Sequence, residues 1–364
     1  MRILHVFRMP VGGLFRHVRD LARGQQALGH QVGMLCDSST GGSMADRLLR
    51  EVEPACDLGI ARIPISRLPG LGDLSGVRQT LAHAVRLRPD IIHCHGAKGG
   101  LHGRLAARQM GLPAVYTPHG GSLHYSWSSP AGAAFLAAER ALGAIGSGAI
   151  FVCNFERDAY DAKIGLGSKP HAVVYNGVWP EEFATIAPPA GAADILFIGD
   201  MRLLKGVDVL LEAIARLRKS RPLTACLVGD GPDLARFKSQ SAALGLTNAV
   251  TFPGRLTAAE AFLRGRMLVM PSRAESFPYV VLEAGAAGVP MIASQVGGIP
   301  EILPAGLMVP PGNVTALADR LASVLDNPER VTQMISDLRQ KMREAFTVTG
   351  MAEGVTSLYA KIIS

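Results

Sequence analysis

Two glutamates have the residue type and the spacing in this chain that best suit the binding of sugar hydroxyls. Glu275 and Glu283 lie in the stretch MPSRAESFPYVVLEAG, residues 270–285. Pro278 and the apolar run behind it predict a helix start between the two carboxylates, with Glu275 just before the helix and Glu283 about two turns along it. If the stretch were helical throughout, the carboxylates would lie ~12 Å apart, a length that suits a diphosphate with a sugar and a ribose at its ends.

A helix start between the two carboxylates would also suit the diphosphate itself. The first turn of a helix offers free N–H groups and the positive end of the helix dipole, and both attract phosphate. We therefore interpret the stretch as a nucleotide-sugar clamp, in which Glu275 accepts hydrogen bonds from the sugar and Glu283 from the ribose. Two isolated glutamates at a helix start are more often simply solvated, so the interpretation depends on the surrounding sequence. The residues predicted to contact the donor here are Ser276, Phe277, Pro278, Tyr279 and Glu283.

The elements that must position these residues are predicted as alternating strands and helices. Residues 1–7 alternate like a strand, apolar residues at helical spacing follow until Gly29, and residues 31–36 form the next strand. This βαβ pattern is typical of a parallel sheet, where ligands bind beyond the carboxyl ends of the strands. The pair Gly12–Gly13 lies at one such end, where the absence of Cβ atoms lets the backbone approach a ligand.

The motifs around the two glutamates occur in a fixed order. PSRAESFPYVVLEA is followed by GVPMIAS, GGIPEIL and GLMVPPGN, and this order resembles the donor-binding half of retaining GT-B glycosyltransferases, specifically family 4. The resemblance runs through nearly the whole chain. It implies two Rossmann-like α/β domains that face each other across a cleft, with a C-terminal helix returning to the first domain. It also implies transfer of a hexosyl group from a nucleoside diphosphate sugar to a hydroxyl, with retention of configuration.

The resemblance assigns further site residues. It implies that His119, in TPHGGSLHY, is the active-site histidine near the donor sugar. It also implies that Lys205 and Arg202 pair with the donor diphosphate, although Asp200 directly follows Gly199, where relatives often have the arginine. With Glu275 orienting the sugar, the predicted catalytic set is His119, Glu275, Lys205 and Arg202. The glycines predicted to approach the donor are Gly12, Gly13, Gly199 and Gly231.

Lys98 is a predicted acceptor residue. It lies in HCHGAKGG, which we interpret as a strand end followed by a glycine-rich turn. Similar relatives have a basic residue here on the acceptor side. Lys98 therefore either binds an acceptor phosphate or is an ordinary solvated lysine.

Chain length and composition predict two domains. The 364 residues exceed one ordinary core, and 48% hydrophobic with 18% charged residues is typical of a globular α/β protein. The predicted division is residues 1–183 for the acceptor-side domain, a linker rich in Pro, Ala and Gly at 184–193, the donor domain at 194–345, and a last helix at 346–364 that packs back on the first domain.

Charge and targeting signals indicate the compartment. No apolar run approaches the ~20 residues of a membrane span, and the start lacks the features of a signal peptide, so we expect a cytoplasmic protein. The formal net charge is +7. A cluster of basic residues near the start fits anionic lipid headgroups on the inner face of the membrane, a phosphorylated acceptor, or a solvated face. Nucleic acid is disfavoured, since no aromatic residues alternate with the basic ones. The cluster comprises Arg2, Arg8, Arg16, Arg19 and Arg23.

We expect no metal and no cofactor besides the nucleotide sugar. His93 and His95 would point the same way on a strand, but no third ligand is apparent in the sequence. The chain has no Asp-x-Asp motif for a metal that bridges a diphosphate, and its GxG at residues 229–231 lacks the third glycine of an NAD site. The five cysteines are scattered singly, so we expect buried free thiols.

The sequence does not identify the acceptor. We expect a glycan or lipid-linked hydroxyl in bacterial envelope polysaccharide or lipopolysaccharide synthesis, on the basis of the basic first domain. The alternatives are a nucleotide-sugar epimerase of the same fold, which would need acid–base carboxylates in the first domain, and a non-catalytic protein that binds nucleotide sugars.

Overall fold

The computed structural model describes residues 1–121 and 125–364, except for the side chains of Pro328 and Arg330. The motif TPHGGSLHY therefore extends partly outside the described residues. The chain forms two compact units. Unit 1 comprises Met1–Gly177 together with Val348–Ser364, and unit 2 comprises Val178–Thr347.

The first boundary follows Gly177, and both residues 178–183 and the predicted linker 184–193 belong to unit 2. The reason is local: the Val178 N–H donates to the Phe346 carbonyl at 2.9 Å, and the 3₁₀ turn Pro180–Phe183 packs within unit 2.

In unit 1, the described residues form one parallel sheet of seven strands, in the spatial order β3-β2-β1-β4-β5-β6-β7. Its strands are β1 Arg2–Val6, β2 Gln31–Asp37, β3 Ile60–Ile63, β4 Ile91–His95, β5 Ala114–Thr117, β6 Gly148–Phe151 and β7 His171–Val173. The helices that connect them are α1 Gly12–Ala27, α2 Gly42–Val52, α3 Gly72–Leu87, α4 Gly96–Met110, α5 Pro130–Ile145 and α6 Asn154–Lys163. Strand order reverses between β1 and β4, which is where ligands bind in open sheets of this kind.

Helix α4 corrects one prediction. Lys98 does not lie in a glycine-rich turn, because the helix begins directly after β4, at Gly96. The glycines are needed for packing: a Cβ on Gly99 would lie 2.2 Å from the Val6 carbonyl oxygen, and one on Gly103 would lie 2.4 Å from the Cys94 sulfur. The helix therefore packs directly on the sheet, which only residues without side chains allow.

In unit 2, the described residues form a second parallel sheet, of six strands in the order β10-β9-β8-β11-β12-β13. Its strands are β8 Ala193–Ile198, β9 Ala225–Val228, β10 Val250–Gly254, β11 Gly265–Met270, β12 Met291–Ser294 and β13 Met308–Val309. Its helices are α7 Val207–Leu217, α8 Leu234–Ala243, α9 Ala258–Phe262, α10 Tyr279–Ala287, α11 Ile299–Ile302, α12 Val314–Asp326 and α13 Pro328–Ala345. Here the strand order reverses between β8 and β11.

The last helix, α14 Val348–Ile363, belongs to unit 1. It packs along α1 so closely that a Cβ on Gly24 would lie 2.7 Å from the Cβ of Ala352. Two parallel α/β units with this returning helix agree with the predicted fold class.

Two further expectations concern burial and membranes. All five cysteines are buried free thiols, and burial raises the pKa of Cys36, Cys56 and Cys94 to about 12. Across the described parts of the chain, every helix is too short or too polar to serve as a membrane span.

Candidate active site

Lys205 and Glu275 contact each other at the point where the strand order of unit 2 reverses. Lys205 follows β8, and Glu275 follows β11, the strand beside it. The Lys205 Nζ lies 2.6 Å from Glu275 Oε1, and the Ser272 hydroxyl donates to the same oxygen at 2.7 Å. The Glu275 side chain is 9% exposed and that of Lys205 27% exposed. The structure thus brings together two residues that the sequence assigned to the sugar and the diphosphate.

The loops that carry this pair are fixed by backbone packing. Gly206 adopts φ +69° beside Lys205, and a Cβ there would lie 2.0 Å from the Pro271 carbonyl oxygen. Gly297 adopts φ +58°, and a Cβ on it would lie 2.0 Å from the Glu275 carbonyl oxygen. The left-handed backbone and the lack of space both require glycine at these positions. The glutamate is therefore held between two closely packed loops.

Arg273 joins the same two loops and was missed from the sequence. Its guanidinium donates to both carboxylate oxygens of Asp208 at 2.7 Å and to the Leu203 carbonyl at 2.6 Å. Burial alone would raise the pKa of Asp208, but the hydrogen bonds from Arg273 outweigh it and hold this pKa below the ordinary value. The sequence signal was an arginine between Ser272 and Glu275, but its partner lies far away along the chain.

The position of Glu283 differs from the prediction. Helix α10 begins at Tyr279 with Pro278 as its N-cap, in extended conformation. Glu283 is therefore little more than one turn along the helix rather than two, and the ~12 Å estimate for a continuous helix does not apply. The segment before Tyr279 is irregular because Pro278 cannot donate a hydrogen bond and restricts the residue before it. Glu283 is buried, as are Phe277 and Tyr279, whereas Ser276 is partly exposed.

The remaining predicted donor residues of unit 2 lie at the carboxyl ends of β8 and β9. The Gly199 N–H donates to the Val228 carbonyl at 3.1 Å, and Gly231 packs against the backbone of Met201. Arg202 is exposed, and its guanidinium makes no hydrogen bond or ion pair with any described residue. Its role in binding the diphosphate remains a prediction.

In unit 1, Gly12 and Gly13 form the first turn of α1, directly beyond β1. Both are exposed, and a Cβ on either would meet no described atom within 4 Å. Gly12 has φ +78°, so the turn itself requires a glycine there. The free N–H groups of this helix start are accessible to a ligand.

Lys98 is engaged inside unit 1. Its ammonium group donates to both carboxylate oxygens of Asp73, at 2.6 and 2.7 Å, and to the Leu68 carbonyl at 2.9 Å. His102 contacts the same carboxylate at 3.0 Å. Three acceptors match the three N–H bonds of a lysine, so an acceptor phosphate would have to displace one of them.

His119 belongs to a cluster of histidines that the sequence did not reveal. Its Nε2 lies 3.1 Å from His95 Nδ1, and His95 Nε2 lies 2.9 Å from His5 Nδ1. The other ring nitrogen of His5, Nε2, lies 2.8 Å from the side-chain oxygen Oε1 of Gln25. The cluster comprises His5, His17, His93, His95 and His119, at the reversal between β1 and β4.

The backbone at His119 is unusual and is anchored from α6. His119 adopts φ +52°, which residues other than glycine rarely do. The next N–H, of Gly120, donates to the buried carboxylate of Glu156 at 2.5 Å. Glu156 therefore fixes the turn that presents His119.

Burial keeps the cluster neutral. It lowers the pKa of His5 and of His17 to about 4, and it lowers the pKa of His93, His95 and His119 well below the ordinary value. A charged imidazole is disfavoured away from water, and each neighbouring imidazole would add repulsion. Around neutral pH these rings act as neutral donors and acceptors.

Two units with parallel sheets, each with polar site residues beyond its strand reversal, define the GT-B class of two-domain α/β proteins. The family described as "Glycosyltransferase Family 4" matches residues 11–182, and "Glycosyl transferases group 1" matches residues 180–344. The chain belongs to the group 1 glycosyltransferases, and the protein is a glycosyltransferase. The resemblance inferred from its sequence motifs is thereby confirmed.

Individual relatives cover nearly the whole chain. Glycogen synthase of Mycobacterium tuberculosis is 29% identical, over 99% of this chain and 94% of the relative. D-inositol 3-phosphate glycosyltransferase of Arthrobacter is 29% identical, over 87% of this chain and 82% of the relative. Among solved structures, HepE of Anabaena in complex with UDP and glucose superposes with a TM-score of 0.84 at 20% identity, over 99% of both chains. At that identity the superposition shows the fold.

Proposed function

We propose that this glycosyltransferase moves a hexosyl group from a nucleoside diphosphate sugar to a hydroxyl of a glycan or lipid-linked acceptor, with retention and without a metal ion. The observation that carries the proposal is the contact between Lys205 and Glu275 at the strand reversal of unit 2. A cation at this edge can stabilise the charge that develops on a leaving diphosphate. HepE of Anabaena, which has the same fold, is known in complex with UDP-glucose, and a UDP-sugar is therefore the first candidate.

The geometry of Glu275 supports an orienting role. One of its oxygens accepts from both Lys205 Nζ and the Ser272 hydroxyl. Two donors on one oxygen withdraw the electron density that a nucleophile needs, whereas hydrogen bonds from sugar hydroxyls can still reach the carboxylate. We therefore favour attack of the acceptor on the same face that the phosphate leaves, with the phosphate taking the acceptor proton. A covalent sugar on Glu275 has no role in this scheme.

The donor can be identified by thermal shift of the purified protein against UDP, GDP, ADP and their sugar conjugates. We expect one nucleotide to raise the melting temperature. Replacing Glu283 by alanine should weaken its binding roughly 10- to 100-fold, because a hydrogen bond to a charged group is lost. Glu344→Ala, an exposed site on α13, is the matched control and should bind like wild type. Equal affinity in Glu283→Ala and wild type would contradict the clamp. Conversion of the nucleotide sugar into its epimer, without an acceptor and without release of the nucleoside diphosphate, would indicate an epimerase.

For the acceptor, we propose an envelope glycan such as a lipid-linked oligosaccharide or lipopolysaccharide core, reached at the inner face of the cytoplasmic membrane. Three exposed leucines at and just before the start of α3 in unit 1 support this. Leu68, Leu71 and Leu74 are 73%, 86% and 67% exposed, and Arg67 and Arg78 flank them. Exposed leucines next to basic residues suit the boundary between headgroups and acyl chains of an anionic membrane.

Flotation with vesicles tests the membrane contact. At low salt, wild-type protein should float with vesicles that contain phosphatidylglycerol and should remain behind with neutral vesicles, because the arginines attract anionic headgroups. The triple variant Leu68→Ser, Leu71→Ser and Leu74→Ser should not float and should keep the melting temperature of wild type, since these side chains lie outside the core. Wild-type protein that ignores anionic vesicles would exclude the membrane part of the proposal and leave the donor chemistry intact.

A further inference from the structure

The histidine cluster contains two groups of three histidines close enough to share a metal ion. One is His5, His93 and His95, and the other is His17, His95 and His119; within each group the ligand atoms lie within 4.8 Å of one another. The two groups differ in whether their ring nitrogens already have hydrogen-bond partners. This difference favours the second group as a metal site.

The first group is saturated by hydrogen bonds. Both nitrogens of His5 are paired, with His95 and Gln25. His93 is paired at Nε2 with the Thr117 hydroxyl at 2.8 Å and at Nδ1 with the Tyr359 hydroxyl at 2.5 Å. A metal ion here would have to break several good hydrogen bonds in a fully buried place.

The second group contains a buried ring nitrogen that lacks a hydrogen-bond partner among the described residues. His17 is fully buried, and its Nε2 lacks a hydrogen-bond partner within the described part of the chain. Its Nδ1 lies 2.8 Å from the amide oxygen of Asn176, so Nδ1 carries the proton and Nε2 carries a lone pair. A buried lone pair without a hydrogen-bond donor is destabilising. An imidazole that donates one N–H to an oxygen and aims the other nitrogen inward is the usual arrangement of a metal-binding histidine.

We propose that His17, His95 and His119 form a binding site for a divalent transition-metal ion of the zinc type. His95 Nδ1 and His119 Nε2 lie 3.1 Å apart, close to the ~3.3 Å that separates two nitrogens on a tetrahedral zinc ion. On binding, the proton on the line between these two rings moves to Nδ1 of His119, so each ring stays neutral and supplies one lone pair. His119 is partly exposed, which gives the ion an access route that the first group lacks.

A metal ion bound at this site would inhibit the enzyme, whereas a cofactor would assist its reaction. Three histidines leave a fourth position for water. Because His119 is the predicted active-site histidine, a bound ion would hold it away from the sugar, and Zn²⁺ should inhibit transfer. This consequence depends on the proposed function, whereas metal binding itself does not.

Calorimetric titration with Zn²⁺ and the visible absorption of Co²⁺ test the site in the metal-free full-length protein. Wild type should bind one ion per chain, and Co²⁺ should give the intense absorption of a tetrahedral site. His17→Gln and His119→Gln should each weaken binding by more than ~10-fold, because a ligand contributes at least as much as an outer-shell partner. The exposed-site variant His171→Gln should bind like wild type.

His93→Gln separates the two groups, because His93 belongs only to the first. It should retain Zn²⁺ binding, and melting curves of all variants should establish that they fold. The partly exposed His119 provides the test if the His17 variant does not fold. The proposal is overturned if wild type binds no Zn²⁺, if binding survives in both His17→Gln and His119→Gln, or if it is lost in His93→Gln and retained in His17→Gln.

Discussion

Replacing Lys205 by methionine should lower kcat by roughly 10²- to 10³-fold, the usual loss when one group that stabilises developing charge is removed. The KM for the donor should change much less, because the leaving phosphate carries more charge in the transition state than in the bound donor. Steady-state kinetics with the identified donor measures both constants. Lys238→Met, an exposed position on α8, is the matched control and should stay within about twofold of wild type for a surface change.

The contact with Glu275 makes a single variant ambiguous. Lys205 Nζ lies 2.6 Å from Glu275 Oε1, so removing the lysine also leaves a nearly buried carboxylate without its cation. A double-mutant cycle with Glu275→Gln resolves this. If Lys205 acts on the phosphate, the double variant should be slower than either single one. If it serves only to hold Glu275, the double variant should match Glu275→Gln, and a kcat close to wild type in Lys205→Met would exclude both roles.

Unit 1 should lose stability on mild acidification, and unit 2 should not. Burial lowers the pKa of His5 and His17 to about 4 in the folded protein, from an ordinary value near 6.5. Between these two pKa values the histidines are protonated in the unfolded chain and neutral in the folded chain. The free energy of unfolding therefore falls as the pH falls. At about pH 5 the loss is ~2 kcal/mol for each of the two histidines. From about pH 7.5 upward the loss is negligible, since the histidines are then almost entirely neutral in both states.

The protein contains its own control for this experiment. All ten histidines lie within residues 5–171, so unit 2 has none, and each unit holds one of the two tryptophans. Trp127 reports on unit 1 in Trp179→Phe, and Trp179 reports on unit 2 in Trp127→Phe. Urea unfolding from about pH 7.5 to about pH 5 should show a falling free energy of unfolding for the Trp127 transition and little change for the Trp179 transition. If the free energy of unfolding for the Trp127 transition does not change with pH, the prediction is contradicted. The folded cluster would then bind protons as readily as the unfolded chain.

The sequence was sufficient to predict features that depend on residues close together in the chain. Periodicity and turn residues were enough for β1, α1 and β4, and the motif order was enough to single out Lys205 and Glu275. Their contact with each other could not be predicted, because it depends on β8 lying beside β11. Likewise the histidine cluster could not be predicted, because it depends on the sheet placing β1 beside β4, where His5 is the register partner of His93.

Other features are hard to predict because one residue type serves two purposes. The glycines after His95 suggested a turn, but they allow α4 to pack against Val6 and Cys94. The acceptor-side role of Lys98 stays a prediction, and its ion pair with Asp73 could not be foreseen because the two residues are distant in the chain. Glycine spacing and single charges are ambiguous until the packing partner is known.

The return of α14 to unit 1 has a consequence for biosynthesis. Residues 348–363 leave the ribosome only after all of unit 2, yet Tyr359 supplies the hydroxyl that binds His93, and Ala352 packs against Gly24. The amino-terminal unit is thus begun first and finished last, while unit 2 has its whole sequence available earlier. Domains usually complete their folding in the order of synthesis. In this protein the nascent chain must keep the partner surface of α14 open, and His93 without its Tyr359 partner, until α14 has been synthesised.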